Sequence, residues 1–196
     1  MNRKVEFFYD YVSPYTYLAN SQLANLNADI VYRPVLLGAL MQSIGNQPPA
    51  TLAARGNYLF ADVRRWAAYY QIPYAMNPAF PVNTIKALRV ALVADEMDRL
   101  DLLHQPLFDA VWAHGLDVND DSVLTKIISD AGLVPDEIYP RITDDDIKAR
   151  LRSNTDEAIE RGVFGAPTFF VGDEMFFGND RLHFVKAELE KAILLA

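Results

Sequence analysis

Cysteine is absent from this chain, and histidine occurs only three times. A chain without cysteine has no disulfides, no cysteine-ligated zinc and no thiol of its own for nucleophilic or redox chemistry. The three histidines lie far apart in the sequence and lack the spacing of a zinc site. Asp144, Asp145 and Asp146 are adjacent, but such a run more often caps a helix and complements its dipole than binds a metal. We therefore expect no metal centre.

Long apolar runs and an excess of positive charge are also missing. The longest apolar stretches fall far short of the roughly 20 residues that span a bilayer, so we expect no membrane contact. The chain has 18 Lys and Arg residues against 26 Asp and Glu residues and a net charge of −8, which argues against a nucleic-acid partner. Arg3 and Lys4 are not followed by the apolar segment of a signal peptide, because Glu6 and Asp10 interrupt it. A cytoplasmic location is the resulting expectation.

The N-terminal sequence predicts a βαβ unit. Residues 4–8 and 29–34 have the apolar and β-branched character of strands, and a helix is predicted between them from Pro14 to about residue 26. Ser13 is a favourable N-cap for this helix, and proline is well placed in its first turn, where a missing N–H costs nothing.

The C-terminal sequence predicts a ββα unit. Residues 168–171 and 174–177 read as strands, and the tight turn at Gly172-Asp173 joins them into a hairpin. A final helix is predicted to start at Asn179 and Asp180.

The middle of the chain is predicted to be helical. Residues 38 to 49 read as a loop with several helix breakers. Helices are predicted beyond it at about 52–71, 84–97, 101–114, 122–131, 135–139 and 144–161. The predicted fold class is therefore α/β, with a thioredoxin-like (disulfide-oxidase-like) core of residues 1–39 and 161–196 and an all-helical insertion of residues 40–160.

Ser13 and Pro167 occupy the two halves of a thioredoxin-type active site. Ser13 stands at the start of a helix, where thiol-disulfide oxidoreductases carry a Cys-x-x-Cys motif, and Pro167 directly precedes a strand, as in the cis-proline loop that faces that motif. Because this site has no sulfur of its own, we infer that a ligand brings the thiol, and glutathione is the candidate. The Ser13 hydroxyl and the free N–H groups of the helix start can stabilise a thiolate. The alternative is that Ser13 only caps the helix.

The proline loop and the last helix offer groups for the rest of glutathione. We predict that the Ala166–Pro167 bond is cis and that the N–H and C=O of Ala166 face outward, where they can pair with an extended peptide. Asn179 and Asp180 provide helix N–H groups for a carboxylate and a carboxylate for an ammonium, which are the two charges of a γ-glutamyl end. Alternatively, Asp180 merely caps the helix.

Four short stretches carry a resemblance that spans nearly the whole chain. They are Phe7-Phe8-Tyr9-Asp10-Tyr11-Val12-Ser13-Pro14-Tyr15, Gly45-Asn46 with Pro48-Pro49, Gly162-Val163-Phe164-Gly165-Ala166-Pro167-Thr168, and Phe177-Gly178-Asn179-Asp180-Arg181. Together they resemble the kappa-class glutathione transferase family. Within that family, residues 172–181 are most similar to the bacterial 2-hydroxychromene-2-carboxylate isomerases.

The resemblance implies a homodimeric, glutathione-dependent enzyme. It places Ser13 at the sulfur and Ala166 at the cysteinyl backbone. Asn179 and Asp180 fall at the γ-glutamyl end. Asn46 matches a loop residue that contacts the peptide.

Arg55 occupies the position at which the family usually has a lysine, which the resemblance assigns to the glycyl carboxylate. The implied reaction is the reversible interconversion of 2-hydroxychromene-2-carboxylate and trans-o-hydroxybenzylidenepyruvate in aromatic breakdown. The thiolate adds to the conjugated system and is later eliminated, so no redox change occurs.

Two alternatives to the isomerase stay open at this point. The first is a kappa-like transferase or peroxidase for another electrophile. The second is a non-catalytic thioredoxin-like domain that binds peptides and uses Ser13 only as a cap. For an enzyme, we expect a small aromatic substrate bound between the core and the insertion. The insertion offers these candidates for that pocket: Trp66, Tyr69, Trp112, Asn83, Lys86 and Arg89.

Overall fold

The N-terminal part of the protein is a βαβ unit, as predicted. The computed structural model describes residues 4–194, with side chains as far as Lys191. Strand β1 (Lys4–Tyr9) and strand β2 (Asp29–Pro34) are parallel and are joined by helix α1 (Pro14–Asn20). Helix α1 ends earlier than predicted, and a separate 3₁₀ turn follows it.

The C-terminal part is the predicted ββα unit. Strands β3 (Thr168–Val171) and β4 (Glu174–Phe177) form a hairpin, and Gly172 in its turn has a φ of +60°, which glycine adopts without steric cost. A 3₁₀ turn (Asn179–Arg181) leads into helix α9 (Leu182–Leu194). Because β3 pairs antiparallel with β1, the strand order is β2-β1-β3-β4. This mixed sheet is the thioredoxin-like core expected from the sequence.

The chain between β2 and β3 is helical. Its helices are α2 (Leu37–Ser43), α3 (Ala53–Tyr70), α4 (Ile85–Glu96), α5 (Leu100–Trp112), α6 (Asp121–Asp130), α7 (Pro135–Ile138) and α8 (Asp145–Glu160). Residues 40–160 are all described, and none of them lies in a strand. The prediction of a loop over residues 38–49 is wrong for its first half, because α2 extends to Ser43. The division into a core and an insertion stays a prediction, and α2 crosses its first boundary.

The sheet is buried on both faces, which explains why β1 is apolar at successive positions. Phe7 and Tyr9 belong to a large cluster on one face, where Phe7 stacks on Phe169 of β3 at 5.1 Å between ring centroids. Phe8 points to the opposite face and packs with Phe170. Burial of one such ring stabilises the fold by roughly 1.5–3 kcal/mol. The two covered faces fix β1, and with it the turn that follows.

Helix α8 joins the helical segment to the sheet. Asp144 occupies its N-cap position in an extended conformation but makes no side-chain cap bond, and Asp145 and Asp146 lie in its first turn, so the run of aspartates starts a helix as predicted. Asn154 donates to the carbonyl of Pro34, and the Thr155 hydroxyl accepts from the N–H of Leu36. These bonds hold the chain between β2 and α2.

Across residues 4–194, no helix combines the length and the apolar character needed to cross a membrane.

Candidate active site

Ser13 lies at the start of α1 and contacts the proline loop. Its backbone is extended (φ −89°, ψ 116°), as an N-cap residue requires, and its Oγ accepts from the Thr16 N–H at 3.3 Å. The same hydroxyl donates to the main-chain carbonyl of Ala166 at 2.9 Å. Ser13 is therefore an N-cap and also the link between the two halves of the predicted site.

The Ala166–Pro167 bond is cis, which confirms the prediction. The prediction that the carbonyl of Ala166 faces outward is wrong, because this oxygen accepts the Ser13 hydroxyl. The physical reason is that Ser13 is only 5% exposed, and a buried hydroxyl needs an acceptor. Sequence reasoning considered the two sides of the site separately and did not consider a bond between them.

Ser13 opens onto a pocket of about 600 Å³. The pocket lies between the turn before α1, helix α2, the start of α3 and the segment before α4. Of the residues predicted from the sequence, Ser13, Asn46, Arg55 and Ala166 line it. Much of the remaining wall is apolar and includes Leu37, Met41, Leu59, Phe80, Val82 and Phe164. The structure thus brings a hydroxyl, an amide and a guanidinium to one apolar cavity.

Asn46 and Arg55 stand on the exposed side of this pocket. The Asn46 side chain donates to the carbonyl of Phe164 at 3.3 Å and accepts from the N–H of Gln47. Arg55 lies in the first turn of α3 and is exposed. It is the sole lysine or arginine among the described residues that line the pocket. A carboxylate in this pocket has one side-chain cation available to it.

Asn179 and Asp180 line a different cleft, of about 610 Å³, between α3 and α9. Asn179 is buried, and its main-chain carbonyl accepts a long 3.4 Å bond from the Tyr70 hydroxyl. The Asp180 carboxylate is paired with Arg181. The structure therefore does not place these two residues in the same cavity as Ser13.

The two cavities meet at a hydrogen bond between Tyr15 and Asp62. Tyr15 lines the Ser13 pocket, Asp62 lines the cleft of Asp180, and the Tyr15 hydroxyl donates to the Asp62 carboxylate at 2.9 Å. Burial and this neighbouring carboxylate both raise the pKa of Tyr15 above its usual value, so the phenol stays protonated. This hydrogen bond therefore joins the linings of the two cavities.

Of the six candidates from the helical segment, Asn83 alone lines the Ser13 pocket. Lys86 forms an ion pair with Asp121 at 2.6 Å. Trp112 is fully buried in the core, whereas Trp66 and Tyr69 line the other cleft. An apolar or aromatic residue at helical spacing faces the core in most cases. The spacing alone does not show whether such a residue packs in the core or lines a cavity.

Asp10 is a pocket residue that sequence reasoning did not single out. It lines the cavity beside Ser13 and is 3% exposed. The sequence did contain a signal for Asp10, because it directly follows a strand of apolar residues. An acidic residue in that position is buried together with the strand.

The chain matches the family model of the DsbA-like thioredoxin domain over residues 4–190. It is 30% identical over 195 residues to 2-hydroxychromene-2-carboxylate isomerase of Sphingobium xenophagum, covering 96% of this chain and 99% of that protein. The isomerase of the same name from Pseudomonas sp. strain C18 is 34% identical over 186 residues, with coverage of 91% and 86%. Glutathione S-transferase kappa 1 of Caenorhabditis elegans is 29% identical, with coverage of 96% and 91%.

Solved structures agree with these sequence matches. A structure of 2-hydroxychromene-2-carboxylate isomerase superposes with a TM-score of 0.89 at 28% identity and covers 97% of this chain and 96% of that chain. A probable DsbA oxidoreductase of Streptomyces coelicolor shares the fold, with a TM-score of 0.73 at 19% identity. The resemblance drawn from the sequence is thereby confirmed. The chain belongs to the DsbA-like thioredoxin domain family, with relatives named 2-hydroxychromene-2-carboxylate isomerase and glutathione S-transferase kappa.

Proposed function

We propose that the protein is a glutathione-dependent isomerase that interconverts 2-hydroxychromene-2-carboxylate and trans-o-hydroxybenzylidenepyruvate. The observation that carries the proposal is the Ser13 hydroxyl, held at a helix start in the wall of an apolar pocket, in a chain without cysteine. Relatives that bear the name of this isomerase support the choice of reaction. Relatives named glutathione transferase support the choice of thiol.

The residues of the pocket fit a thiol tripeptide at two of its three parts. Ser13 offers its hydroxyl to the sulfur, and the start of α1 adds the positive end of the helix dipole. Asn46 and Arg55 offer an amide and a cation to the peptide and its glycyl carboxylate. At the γ-glutamyl end, Asn179 and Asp180 lie across the Tyr15–Asp62 pair, and Asp180 must share or give up Arg181 to receive an ammonium.

Glutathione held by Ser13, Asn46 and Arg55 would supply a nucleophilic thiol for reversible addition to a conjugated double bond, and elimination would return that thiol unchanged. The part of Ser13 is to keep the sulfur ionised at neutral pH, since a free thiol has a pKa near 8.5. Each pKa unit corresponds to about 1.4 kcal/mol, which lies within the range of one charge-assisted hydrogen bond and a helix end.

The Ser13 hydroxyl has a single proton, and in this structure it donates its one hydrogen bond to the Ala166 carbonyl. It can serve a thiolate only by turning away from that carbonyl. A peptide N–H that pairs with Ala166 would take over the released acceptor, as in an added strand. The sulfur and the peptide backbone would thus engage the site together.

The apolar wall and Asn83 suit a flat aromatic acid. Phe80, Val82 and Leu59 exclude water from the reacting carbons, and the Asn83 side chain offers an amide at the rim. A dry, apolar setting also strengthens the hydrogen bond between Ser13 and an anion.

A transferase for a neutral electrophile is the second candidate, and one observation favours it. Arg55 is the single lysine or arginine among the described residues of the pocket wall. If Arg55 holds the glycyl carboxylate, no side-chain cation of this wall is left for a substrate carboxylate. A homodimer and a cytoplasmic location stay predictions from the sequence.

The test follows the absorbance of 2-hydroxychromene-2-carboxylate with and without glutathione while free thiol is titrated. The proposal requires isomerisation that depends on glutathione and leaves its concentration unchanged. Stoichiometric thiol loss would assign the protein to the transferases. Equal rates without glutathione, or the absence of both turnover and glutathione binding, would overturn the proposal that glutathione supplies the reactive thiol.

Replacing Arg55 with methionine should weaken glutathione binding about fivefold, since an exposed ion pair contributes about 1 kcal/mol. The remaining binding should also become less sensitive to salt, because screening acts on the lost charge pair. Calorimetric titration at two ionic strengths measures both effects. Arg152→Met, an exposed arginine of α8 outside the pocket, is the matched control. Unchanged affinity in Arg55→Met would remove this residue from the site.

A further inference from the structure

Asp10 is a buried carboxylate in the wall of the Ser13 pocket. Its Oδ1 accepts hydrogen bonds from the Val12 N–H at 3.1 Å and from the Thr84 hydroxyl at 2.6 Å. Its Oδ2 accepts a third bond, from the Leu37 N–H at 3.0 Å. Three donors therefore converge on one carboxylate that has almost no contact with water.

The three donors come from three segments that enclose the pocket. Val12 lies in the turn that leads to Ser13, Leu37 is the first residue of α2, and Thr84 directly precedes α4. The main-chain carbonyl of Asp10 also accepts the Ser13 N–H at 3.1 Å. One residue thus shapes the Ser13 turn through both its backbone and its side chain, and it ties that turn to the two helices opposite.

A carboxylate in this position is costly. Taking an ionised group out of water is unfavourable, and the groups that hold Asp10 are all neutral. Burial raises the pKa of Asp10 to about 6, and the bonds from Thr84, Leu37 and Val12 oppose that rise. Apolar residues of similar size often replace buried charges with no loss of stability. The carboxylate therefore calls for a reason other than stability.

We propose that Asp10 is a positioning residue of the thiol site: its carboxylate locks the Ser13 turn against the starts of α2 and α4 and so aims the Ser13 hydroxyl. Its effect on rate rests on the proposed function. Its effect on the order of the turn does not, because the three hydrogen bonds are made by the protein alone. Asp10 touches no reacting atom in this role and acts through Ser13.

Protonation of Asp10 removes the cost of burying its charge, and the neutral carboxyl keeps acceptor capacity for its donors, so the closed turn should be more stable when Asp10 is neutral. The other ionisable groups beside it are Tyr9 and Tyr11, whose pKa values burial raises above the usual range, so both stay neutral in acid. Arg55 is the other charged residue among the described residues that line the same pocket. Because the pKa of Asp10 is about 6 in the closed turn and an exposed aspartate has its ordinary, lower pKa, the closed turn binds the proton more tightly and should become more stable as the pH falls through about 6.

The first test is hydrogen exchange at the Val12 and Leu37 amides, measured without any ligand. In Asp10→Asn, the side-chain NH₂ group faces a donor instead of accepting from it, so at least one of these amides should exchange roughly tenfold faster. In the wild type, the same amides should gain protection as the pH falls through about 6, after correction for intrinsic exchange, and the variant should lack this step. Equal protection and an equal pH dependence in both proteins would overturn the proposal.

The second test is kinetic. Asp10→Asn should lower kcat at least about tenfold, because small errors in the aim of a catalytic group are costly, while the KM for glutathione stays within about twofold. A variant that keeps the wild-type kcat would overturn the effect on rate. If the wild type itself shows no glutathione-dependent turnover, the proposed function fails, and the exchange experiment decides on Asp10 by itself.

Thr84→Val keeps the proposal testable if Asp10→Asn does not fold. It keeps the carboxylate and removes its 2.6 Å hydroxyl bond, so the pKa of Asp10 should rise and the gain of amide protection should begin at higher pH. Thr143→Val, which removes a hydroxyl bond of 2.8 Å to Pro140 outside the pocket, is the matched control. An unmoved step in Thr84→Val would overturn the proposal.

Discussion

Ser13→Ala should lower the turnover of the glutathione-dependent reaction about a hundredfold or more, since the loss of one donor to an anion in a desolvated site typically has this effect. Glutathione affinity should change only a few-fold, because the contacts that we propose for Asn46 and Arg55 in the same pocket remain. The structure adds a second consequence. The same substitution removes the N-cap of α1 and the partner of the Ala166 carbonyl, so the free energy of unfolding should fall by about 1–2 kcal/mol.

The measurement is an ultraviolet titration of the thiolate of bound glutathione, together with kcat and chemical denaturation. The thiolate band should appear at higher pH in Ser13→Ala than in the wild type. Ser21→Ala is the matched control, because the Ser21 hydroxyl donates to the Leu18 carbonyl at the other end of the same helix. If the thiolate titrates identically in both proteins, Ser13 is only an N-cap.

The four strands could be predicted from the sequence because their signal is local. Alternation and apolar runs depend on neighbours along the chain, and the covered faces of β1 make Phe7 and Phe8 both apolar. Helix α2 could not be predicted in this way. Its own N-cap residue, Leu36, makes no side-chain bond to the helix, and the acceptor for the first N–H, at Leu37, is Asp10. A cap that comes from a distant residue leaves no mark in the local sequence.

The part of the candidate site around Ser13 and Pro167 could be predicted for the same reason as the strands, because its signals are local. Ser13 beside Pro14 is a local helix-start signal, and Pro167 directly precedes a strand. The distribution of the remaining residues over two cavities depends on α3, which packs beside α1 and brings Asp62 to Tyr15. Contacts between elements that are far apart in sequence decide this arrangement, and no spacing rule describes them.

Trp112 shows how the core behind the site carries a large share of the stability. It is fully buried at the end of α5, and its indole N–H donates to the carbonyl of Tyr11 at 2.8 Å, just before the Ser13 turn. Its ring lies between Tyr74, stacked at 6.2 Å, and Phe80, at 5.8 Å. The indole therefore supports the Ser13 turn from behind and packs against a wall residue of the pocket.

Trp112→Ala should lower the free energy of unfolding by about 3–5 kcal/mol, because it leaves a large cavity and an unpaired buried carbonyl at Tyr11. For a chain of this size, the melting temperature should fall by roughly 6–20 °C. Urea denaturation and calorimetry measure both quantities. Trp66→Ala, which removes the half-buried tryptophan beside Tyr70, is the matched control and should have less than about 1.5 kcal/mol of effect. Equal losses in the two variants would contradict the assignment of Trp112 to the core and return it to the candidates for the substrate wall.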